Sequence, residues 1–180
     1  MNDNYTHRLA TLDDLEALHR VMARSIEQLQ SSFLTSEQVA VSSRTMGLDT
    51  QLVSDGTYFI IEQKGRIAGC GGWSFRGTLF GGDKSLVERD PAPLNPATDA
   101  AKIRAMYTDP DFVRRGVGSR ILELGETAAR AAGFKRIELM GTAAGIPLYE
   151  RRGYQASAPL EWITVDGVAV PHLRMEKRLL

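Results

Sequence analysis

Apolar residues recur at helical spacing in two long stretches of the chain. In the first stretch, residues three or four positions apart share one face of a predicted helix: Leu15, Leu18, Met22, Ile26 and Leu29. Thr11 precedes that helix as a predicted N-cap, with Asp14 as its capping-box partner. The second stretch predicts a helix over Val117–Ala132 that ends at Gly133. The apolar face of this second helix consists of Val117, Ile121, Leu124, Ala128 and Ala132.

Strand-like runs separate these helices. They are Tyr5–Leu9, Thr57–Gln63, Arg66–Ser74, Lys102–Thr108, Arg136–Gly141, Trp162–Val165 and Val168–Lys177. Lys64-Gly65 and Asp166-Gly167 are short turn sequences that predict hairpins between the strands on either side. The strand–helix–strand order from Lys102 to Gly141 predicts a right-handed crossover between two parallel strands. The pattern therefore predicts a mixed α/β domain with a central, mostly antiparallel sheet flanked by helices.

Capping residues predict two shorter helices. One begins at Thr35 or Ser36 and ends near Gly47, and the other begins at Gly145-Ile146-Pro147 and ends at Gly153.

The segment Phe75–Ala100 is rich in glycine and proline and has no clear period, so we interpret it as a long loop or an insertion. A mobile lid over a site and a disordered surface excursion are both compatible with this composition.

Composition bounds the class of protein. The chain has 180 residues, and we expect one domain over residues 1–180 with a substantial core. The formal net charge of zero argues against nucleic-acid binding. One cysteine provides no disulfide framework and no zinc cluster, so no metal is expected. No apolar run reaches membrane-spanning length and the first residues are polar, so we expect a cytoplasmic protein without membrane contact.

The segment Val113–Ser119 lies where a predicted strand passes into a predicted helix. Backbone N–H groups and the positive end of the helix dipole point outward together at such a junction, which makes it suitable for a phosphate-like anion. Gly116 and Gly118 let an anion approach the backbone. A tight turn with two solvated arginines is the alternative. The segment lacks the third glycine of a dinucleotide fingerprint, and in Gly77–Ser85 an aspartate interrupts the Walker pattern.

Two motifs in register resemble the GNAT superfamily of N-acetyltransferases. The first, Val113-Arg114-Arg115-Gly116-Val117-Gly118, is similar to the coenzyme A loop of that family, Q/R-x-x-G-x-G/A. Val113 departs from the usual Gln or Arg, which puts one side-chain contact in doubt. The second is Tyr149-Glu150-Arg151-Arg152-Gly153-Tyr154, which matches Tyr-x-x-x-Gly-aromatic. The resemblance implies the acyl-CoA N-acyltransferase fold, with two parallel strands splayed apart at the coenzyme site.

The resemblance also implies where coenzyme A binds and which residue acts as an acid. It assigns the phosphates to Val113, Arg114, Arg115, Gly116, Val117, Gly118 and Ser119, and the pantetheine arm to the backbone of Met106, Tyr107 and Thr108. The arm would pair with this backbone like an added strand, and an N–H near Tyr107 would polarise the thioester. Tyr149 matches the position whose phenol lies beside the sulfur, where it protonates the leaving thiolate. The alternative for Tyr149 is a tyrosine that anchors a short helix.

No general base is assigned from the sequence. Some relatives place a glutamate early in the strand before the phosphate loop, and Asp99 is the nearest carboxylate here, although it lies before the strand. Asp109, Glu27 and Glu161 are candidates by family topology only, and each is otherwise a solvated surface charge. Ordered water is another route.

The remaining chemistry-bearing side chains are given structural roles. His7, His19 and His172 have no metal-ligand partners at useful spacing, so surface or structural roles are expected for them. Cys70 is expected to be a buried thiol. The aromatic residues near the strand ends either line an acceptor pocket or pack in the core: Trp73, Phe75 and Trp162.

The function that follows is an acetyl-CoA-dependent N-acetyltransferase that works by direct transfer in a ternary complex. The acceptor is expected to be a primary amine on a small molecule, a peptide or a protein. The alternative is a non-catalytic acyl-CoA-binding or sensor domain on the same fold. Transfer of a longer acyl group, and a monomeric or homodimeric state, stay open.

Overall fold

A computed structural model describes residues 5–179. These residues fold around one eight-stranded sheet. Its strands are β1 (Thr6–Leu9), β2 (Tyr58–Gln63), β3 (Arg66–Ser74), β4 (Ala101–Thr108), β5 (Arg136–Thr142), β6 (Gln155–Ala156), β7 (Glu161–Val165) and β8 (Val168–Arg178). The helices are α1 (Leu15–Gln30), α2 (Ser36–Thr45), α3 (Thr50–Ser54), α4 (Val117–Ala131) and α5 (Ile146–Arg151). Single 3-10 turns cover Leu12–Asp14 and Pro110–Phe112.

The sheet is mixed, as the pattern predicts. Its order is β1-β2-β3-β4-β5-β8-β6, with β7 paired to the first part of β8. The one parallel pair is β4–β5, and it is registered only at Ala101↔Ile137 and Lys102↔Glu138, near the amino ends of both strands. Beyond Lys102 the two strands have no paired residues, so their carboxyl ends diverge. The predicted splay of the parallel strands is confirmed, and it leaves one edge of β4 without a strand partner among residues 5–179.

The two long helices pack on the sheet. Apolar residues of α1 join a core cluster with β2, β3 and β4 that includes Leu18, Met22, Ile26, Tyr58, Ile60, Cys70 and Tyr107. The predicted capping box is present at the 3-10 turn Leu12–Asp14, which leads directly into α1: the Asp14 carboxylate accepts hydrogen bonds from the Thr11 N–H and hydroxyl, at 2.8 and 3.1 Å. Thr35 forms a capping box with Gln38 at the start of α2: the Thr35 N–H donates to the Gln38 side-chain oxygen at 3.0 Å, and the Thr35 hydroxyl accepts from the Gln38 N–H at 3.3 Å.

The buried face of α4 differs from the predicted one. Leu124 and Ala128 are only partly buried and Ala132 is exposed, whereas Leu122 and Ala129 are fully buried beside Val117 and Ile121. The physical reason is that Gly125 and Glu126 also lie on the buried face of α4. Neither residue is counted when the face is predicted from apolar side chains alone. A Cβ atom on Gly125 would lie 2.8 Å from Ile103 Cδ1, so glycine is needed for the close approach. Glu126 is buried because Tyr154 and Lys177 bind its carboxylate, at 3.1 and 2.7 Å.

Residues 75–100, all of which the structure describes, carry an isolated bridge between Arg76 and Pro93 but no helix or strand. Arginine side chains bind this segment to the rest of the domain through ion pairs and hydrogen bonds. Arg76 binds Asp55 at 2.7 Å, Arg89 binds Asp49 at 2.6 Å, and Arg104 of β4 donates to the Thr78 carbonyl at 2.9 Å. Asp49 is also the N-cap of α3, a single-turn helix that the sequence pattern does not predict because five residues are too few to display a period.

Candidate active site

The loop before α4 is held by buried residues on one side and is exposed on the other. Phe112 is buried in a cluster with β2, β3 and α4, and the Asp109 carboxylate caps the short turn by accepting from the Asp111 N–H at 2.9 Å. The next residues are exposed, and Arg114 and Gly116 have left-handed backbone angles, with φ of 61° and 85°. These two angles turn the chain into the helix. Gly116 adopts a left-handed angle without steric strain because it has no Cβ atom, whereas the same region is strained for Arg114.

The amino end of α4 presents free backbone N–H groups. Arg120 is the first residue whose N–H is bonded, to the Gly116 carbonyl at 3.0 Å. The N–H groups of Val117, Gly118 and Ser119 have no acceptor within the helix. The Val117 side chain is buried at 1% exposure beside Gly69, so only its backbone is available to a ligand. This geometry fits the anion cradle predicted for Val113–Ser119, through its backbone.

A cavity of about 240 Å³ opens where β4 and β5 diverge. One part is lined by the core-side elements: Ile103 to Thr108 of β4, Leu139, Met140 and Thr142 of β5, Gly118 of α4, and Gly145, Leu148 and Tyr149 around α5. The other part is lined by the long loop, the first two helices and the last hairpin: Leu79 to Gly82, Ser85 to Val87, Ser25, Leu29, Gln30, Thr45, Met46, Ile163, Val165 and His172. The cavity therefore brings residues at the amino end of α4 together with this second group of lining residues, which we call the second or acceptor compartment.

Five of the residues predicted for the site line this cavity: Met106, Tyr107, Thr108, Gly118 and Tyr149. Val113, Arg114, Arg115, Gly116, Val117 and Ser119 lie on the loop and the helix end and are not among its lining residues. A Cβ atom on Gly118 would lie 2.6 Å from Leu148 Cδ2, so Gly118 is the point where the cradle touches α5. The structure thus arranges the predicted residues as a cradle outside and a channel inside.

An irregularity in β4 shapes the channel wall. The β3–β4 register passes from Cys70↔Tyr107 to Gly72↔Arg104, which leaves one extra residue in β4. Ala105 has a φ of 49°, and its carbonyl accepts a hydrogen bond of 2.6 Å from the hydroxyl of the fully buried Tyr58. This bulge redirects the strand just before Met106, where the edge facing β5 is unpaired. The sequence contains no local signal for it, because Tyr58 is far away in the chain.

Tyr149 lies on the channel wall with its ring packed between glycines. Its ring meets Tyr154 edge-on at 6.0 Å, and its hydroxyl would lie 3.1 Å from a Cβ atom on Gly145. Among residues 5–179 no hydrogen-bond acceptor is paired with the hydroxyl, which leaves it available to a ligand in the channel. Burial raises the pKa of Tyr149 to about 12, so the phenol keeps its proton at neutral pH. A protonated, unpaired phenol can donate to a developing anion.

His172, for which a surface or structural role is expected from sequence, also lines the cavity. Its half-buried ring stacks on Phe80 of the long loop, with centroids 6.1 Å apart and planes at 25°. Nδ1 lies 3.1 Å from the Val170 carbonyl oxygen. Burial is the largest influence on its pKa and lowers it. Sequence reasoning missed this residue because its position depends on strand register and on a distant loop.

None of the four candidate bases lines the cavity. Asp99 accepts from the Asn95 N–H at 2.7 Å, within a turn. Asp109 is not a surface charge, since it is 3% exposed and paired with Arg24 at 2.6 Å. Glu27 and Glu161 are exposed, and Glu161 is registered opposite His172 on the β7–β8 hairpin.

Of the two alternatives open for Trp73, Phe75 and Trp162, lining of the cavity is not observed for any of the three. Trp73 is in the core beside Phe75 and Phe134, and Trp162 is 58% exposed. The large aromatic side chains that line the cavity are instead those of Phe80, Tyr107 and Tyr149.

The other histidines and the cysteine behave as expected from sequence. His7 and His19 are exposed, and burial raises the pKa of Cys70 to about 12, as expected for a structural thiol. Within residues 5–179 no group of three or more His, Cys, Asp or Glu side chains is arranged to hold a metal ion. No helix in the same range is long and apolar enough to cross a membrane.

Comparison with known proteins identifies the family of the chain. Residues 23–154 match the acetyltransferase (GNAT) family, so the chain belongs to that family and is an acyltransferase by class. The resemblance inferred from the two motifs is confirmed. No curated protein sequence matches the chain significantly.

Solved structures share the fold at low identity. A GCN5-related N-acetyltransferase from Rhodopseudomonas palustris aligns with a TM-score of 0.70 at 19% identity, over 97% of this chain and 95% of that one. The ribosomal-protein-S18-alanine N-acetyltransferase from Escherichia coli aligns with a TM-score of 0.58 at 21% identity, over 97% and 94%. YncA from Salmonella typhimurium, solved with its cofactor acetyl-CoA, aligns with a TM-score of 0.63 at 15% identity, over 97% and 94%.

Proposed function

We propose that this protein is an acetyl-CoA-dependent N-acetyltransferase that transfers an acetyl group directly to a primary amine in a ternary complex. The observation that carries the proposal is the continuity of the cavity. One cavity is lined by Gly118 at the cradle, by Tyr149, and by the residues of the long loop and His172 that form the second compartment. Two substrates that enter from opposite ends would meet beside the Tyr149 hydroxyl. A site that only bound or sensed acyl-CoA would need no second compartment.

Each part of the channel has a role in this proposal. The N–H groups of Val117, Gly118 and Ser119 bind the coenzyme phosphates. The unpaired edge of β4 at Met106, Tyr107 and Thr108 binds the pantetheine arm as an added strand. A backbone N–H in that stretch stabilises the carbonyl oxygen as it gains negative charge. Tyr149 donates its proton to the departing thiolate.

The acceptor compartment favours an amine with an apolar substituent. Its lining includes Leu29, Met46, Leu79, Phe80, Val87 and Ile163, and no Asp, Glu or Lys is among the lining residues that the structure describes. Arg104, the one arginine in the lining, is bound to Asp49 at 2.8 Å. A second positive charge on the acceptor would be buried without a partner, which is costly. The proposed acceptor is therefore an apolar monoamine or the amino terminus of an apolar peptide.

The test is the release of free thiol from acetyl-CoA in the presence of a panel of primary amines, with the acetylated product identified by mass. Binding of acetyl-CoA without transfer to any amine would favour the sensor alternative. A cytoplasmic location, the absence of nucleic-acid and membrane partners, and the choice between monomer and homodimer stay predictions.

The cradle assignment predicts that Gly118→Asp weakens the binding of coenzyme A on the order of tenfold or more, about 1.4 kcal/mol. A carboxylate in the first turn suits the helix dipole, so the fold should survive, but it occupies the anion site and repels the phosphates. Calorimetric titration of coenzyme A measures the effect. Gly118→Ala is the matched control, because its Cβ meets only the flexible end of Leu148.

Arg114→Ala should weaken binding about twofold, as expected for an exposed cation. An unchanged affinity in Gly118→Asp would contradict the assignment.

The apolar lining predicts a preference among acceptors. The value of kcat/KM for 2-phenylethylamine should exceed that for spermidine by at least about tenfold, because apolar burial is favourable and the extra charges of spermidine stay unpaired. Both kcat/KM values are measured from the release of free thiol, with the two amines compared at equal concentrations of their unprotonated forms. A higher kcat/KM for spermidine would show that the acceptor binds elsewhere.

A further inference from the structure

His172 is the one residue in the described lining of the cavity whose side chain ordinarily titrates near neutral pH. The remaining titratable side chains there are Arg104, Tyr107 and Tyr149. The arginine is already paired, and burial raises the pKa of both tyrosines above its ordinary value. A proton acceptor for the amine must therefore be His172 or a water molecule.

The register of the sheet and the cavity lining place His172 on the wall of the same cavity as Tyr149. His172 is paired with Thr142, the last residue of β5, and Thr142 lines the same cavity. Its ring is held against Phe80 of the acceptor loop. A Cβ atom on Gly141, the residue before Thr142, would lie 3.3 Å from the Tyr149 ring. His172 thus borders the acceptor compartment, and the tyrosine acid packs near the end of the strand paired with it.

The hydrogen bond at Nδ1 determines which ring nitrogen is free. A backbone carbonyl oxygen can only accept, so the contact with Val170 puts the hydrogen on Nδ1. In the neutral ring Nε2 then carries the lone pair, and no hydrogen-bond donor within residues 5–179 is paired with it.

The groups around the ring keep it neutral. Burial lowers the pKa of His172, and this effect outweighs the hydrogen bond to the Val170 carbonyl and the charge of Glu161 on β7, which both raise it. Thr142 on β5 and Phe80 on the loop carry no charge, and Arg104, the other charged residue of the lining, is engaged in its ion pair. The ring is therefore neutral at pH 7, with an accessible lone pair.

We propose that Nε2 of His172 is the general base that takes the proton from the attacking amine. This proposal rests on the proposed transferase function. The amine lone pair forms the new C–N bond to the thioester carbon, and the carbonyl electron pair moves onto oxygen. The nitrogen becomes cationic and acidic, and His172 removes one proton from it. The oxygen pair then reforms the carbonyl, the C–S bond breaks, and the thiolate takes a proton from Tyr149. Solvent returns the proton from His172 to the tyrosine, so amine and acetyl-CoA give amide and free thiol.

The test compares His172→Phe with the wild type, using acetyl-CoA and 2-phenylethylamine. Phenylalanine keeps the stack on Phe80 and removes the base. We expect kcat/KM for the amine to fall on the order of 10²-fold, while the Kd of acetyl-CoA stays within about twofold. The wild-type rate, divided by the concentration of unprotonated amine, should decrease as the pH is lowered beneath about 6.5. A histidine whose pKa is lowered becomes protonated only in that range. That acid limb should vanish in His172→Phe. Glu161→Gln is the matched control and should stay within about threefold of wild type.

Two outcomes separate this proposal from the function on which it rests. Equal rates in His172→Phe and wild type would overturn the role of His172 and leave the transferase intact. A wild-type protein that acetylates no amine of the panel would overturn both. Nitrogen NMR of the ring gives a readout that needs no acceptor: we expect hydrogen on Nδ1 and a bare Nε2 at pH 7, and the opposite tautomer would overturn the proposal.

Discussion

Replacing Tyr149 with phenylalanine should lower kcat on the order of 10²-fold and leave the KM for acetyl-CoA nearly unchanged. The ring keeps its packing against Tyr154 and the glycines, so the fold and the channel should persist. Only the proton donor is lost, and its interaction with the thiolate is made mainly in the transition state. The measurement is the pre-steady-state transfer rate, because product release would mask a change in chemistry.

Tyr154→Phe is the matched control for Tyr149→Phe. The hydroxyl of Tyr154 donates to Glu126 at 3.1 Å, and Tyr154 is not among the lining residues of the cavity. Its loss should reduce stability by about 1 kcal/mol and leave kcat nearly unchanged. Because the pKa of Tyr149 is raised to about 12, the phenol stays protonated and adds no alkaline limb to the wild-type profile between about pH 6 and 10. A normal transfer rate in Tyr149→Phe would mean that Tyr149 only packs.

Replacing Asp49 with alanine should reduce the free energy of unfolding by about 3–5 kcal/mol, the usual effect of breaking a buried ion pair. Asp49 is 1% exposed and accepts from Arg104 and Arg89 at 2.8 and 2.6 Å. Without it the buried guanidinium of Arg104 keeps only the carbonyls of Thr78 and Gly81. Because these contacts hold the acceptor loop, the KM for the amine should also rise. Urea denaturation at pH 7 measures the stability.

Glu16→Ala is the control for Asp49→Ala. Glu16 and Arg20 form an exposed pair one helical turn apart, and such pairs contribute about 0.5 kcal/mol or less. If Asp49→Ala costs no more than this control, the loop is not held by the buried pair.

The elements to which coenzyme binding is assigned are visible in the sequence because their signals are local. The turn residues at Lys64-Gly65 and Asp166-Gly167 lie beside the strands they join, and both predicted hairpins are present. The junction Val113–Ser119 is recognisable from its two glycines and from the helical spacing of apolar residues that follows it. The Tyr149 motif lies on a short helix whose ends are marked by Pro147 and Gly153. Each signal spans a few residues, so backbone preferences and side-chain periodicity suffice to detect it.

The acceptor end of the site was decided by contacts between distant parts of the chain. The bulge at Ala105 depends on the hydroxyl of Tyr58, and the place of His172 depends on the β5–β8 register and on Phe80. The buried pair of Asp49 and Arg104 fixes where the long loop lies. By itself, the sequence determined the fold family, and it predicted the anion cradle and the tyrosine acid, which stay predictions. Only the tertiary structure determined the second compartment and its candidate base, because burial and strand pairing bring those residues together over separations that no local pattern records.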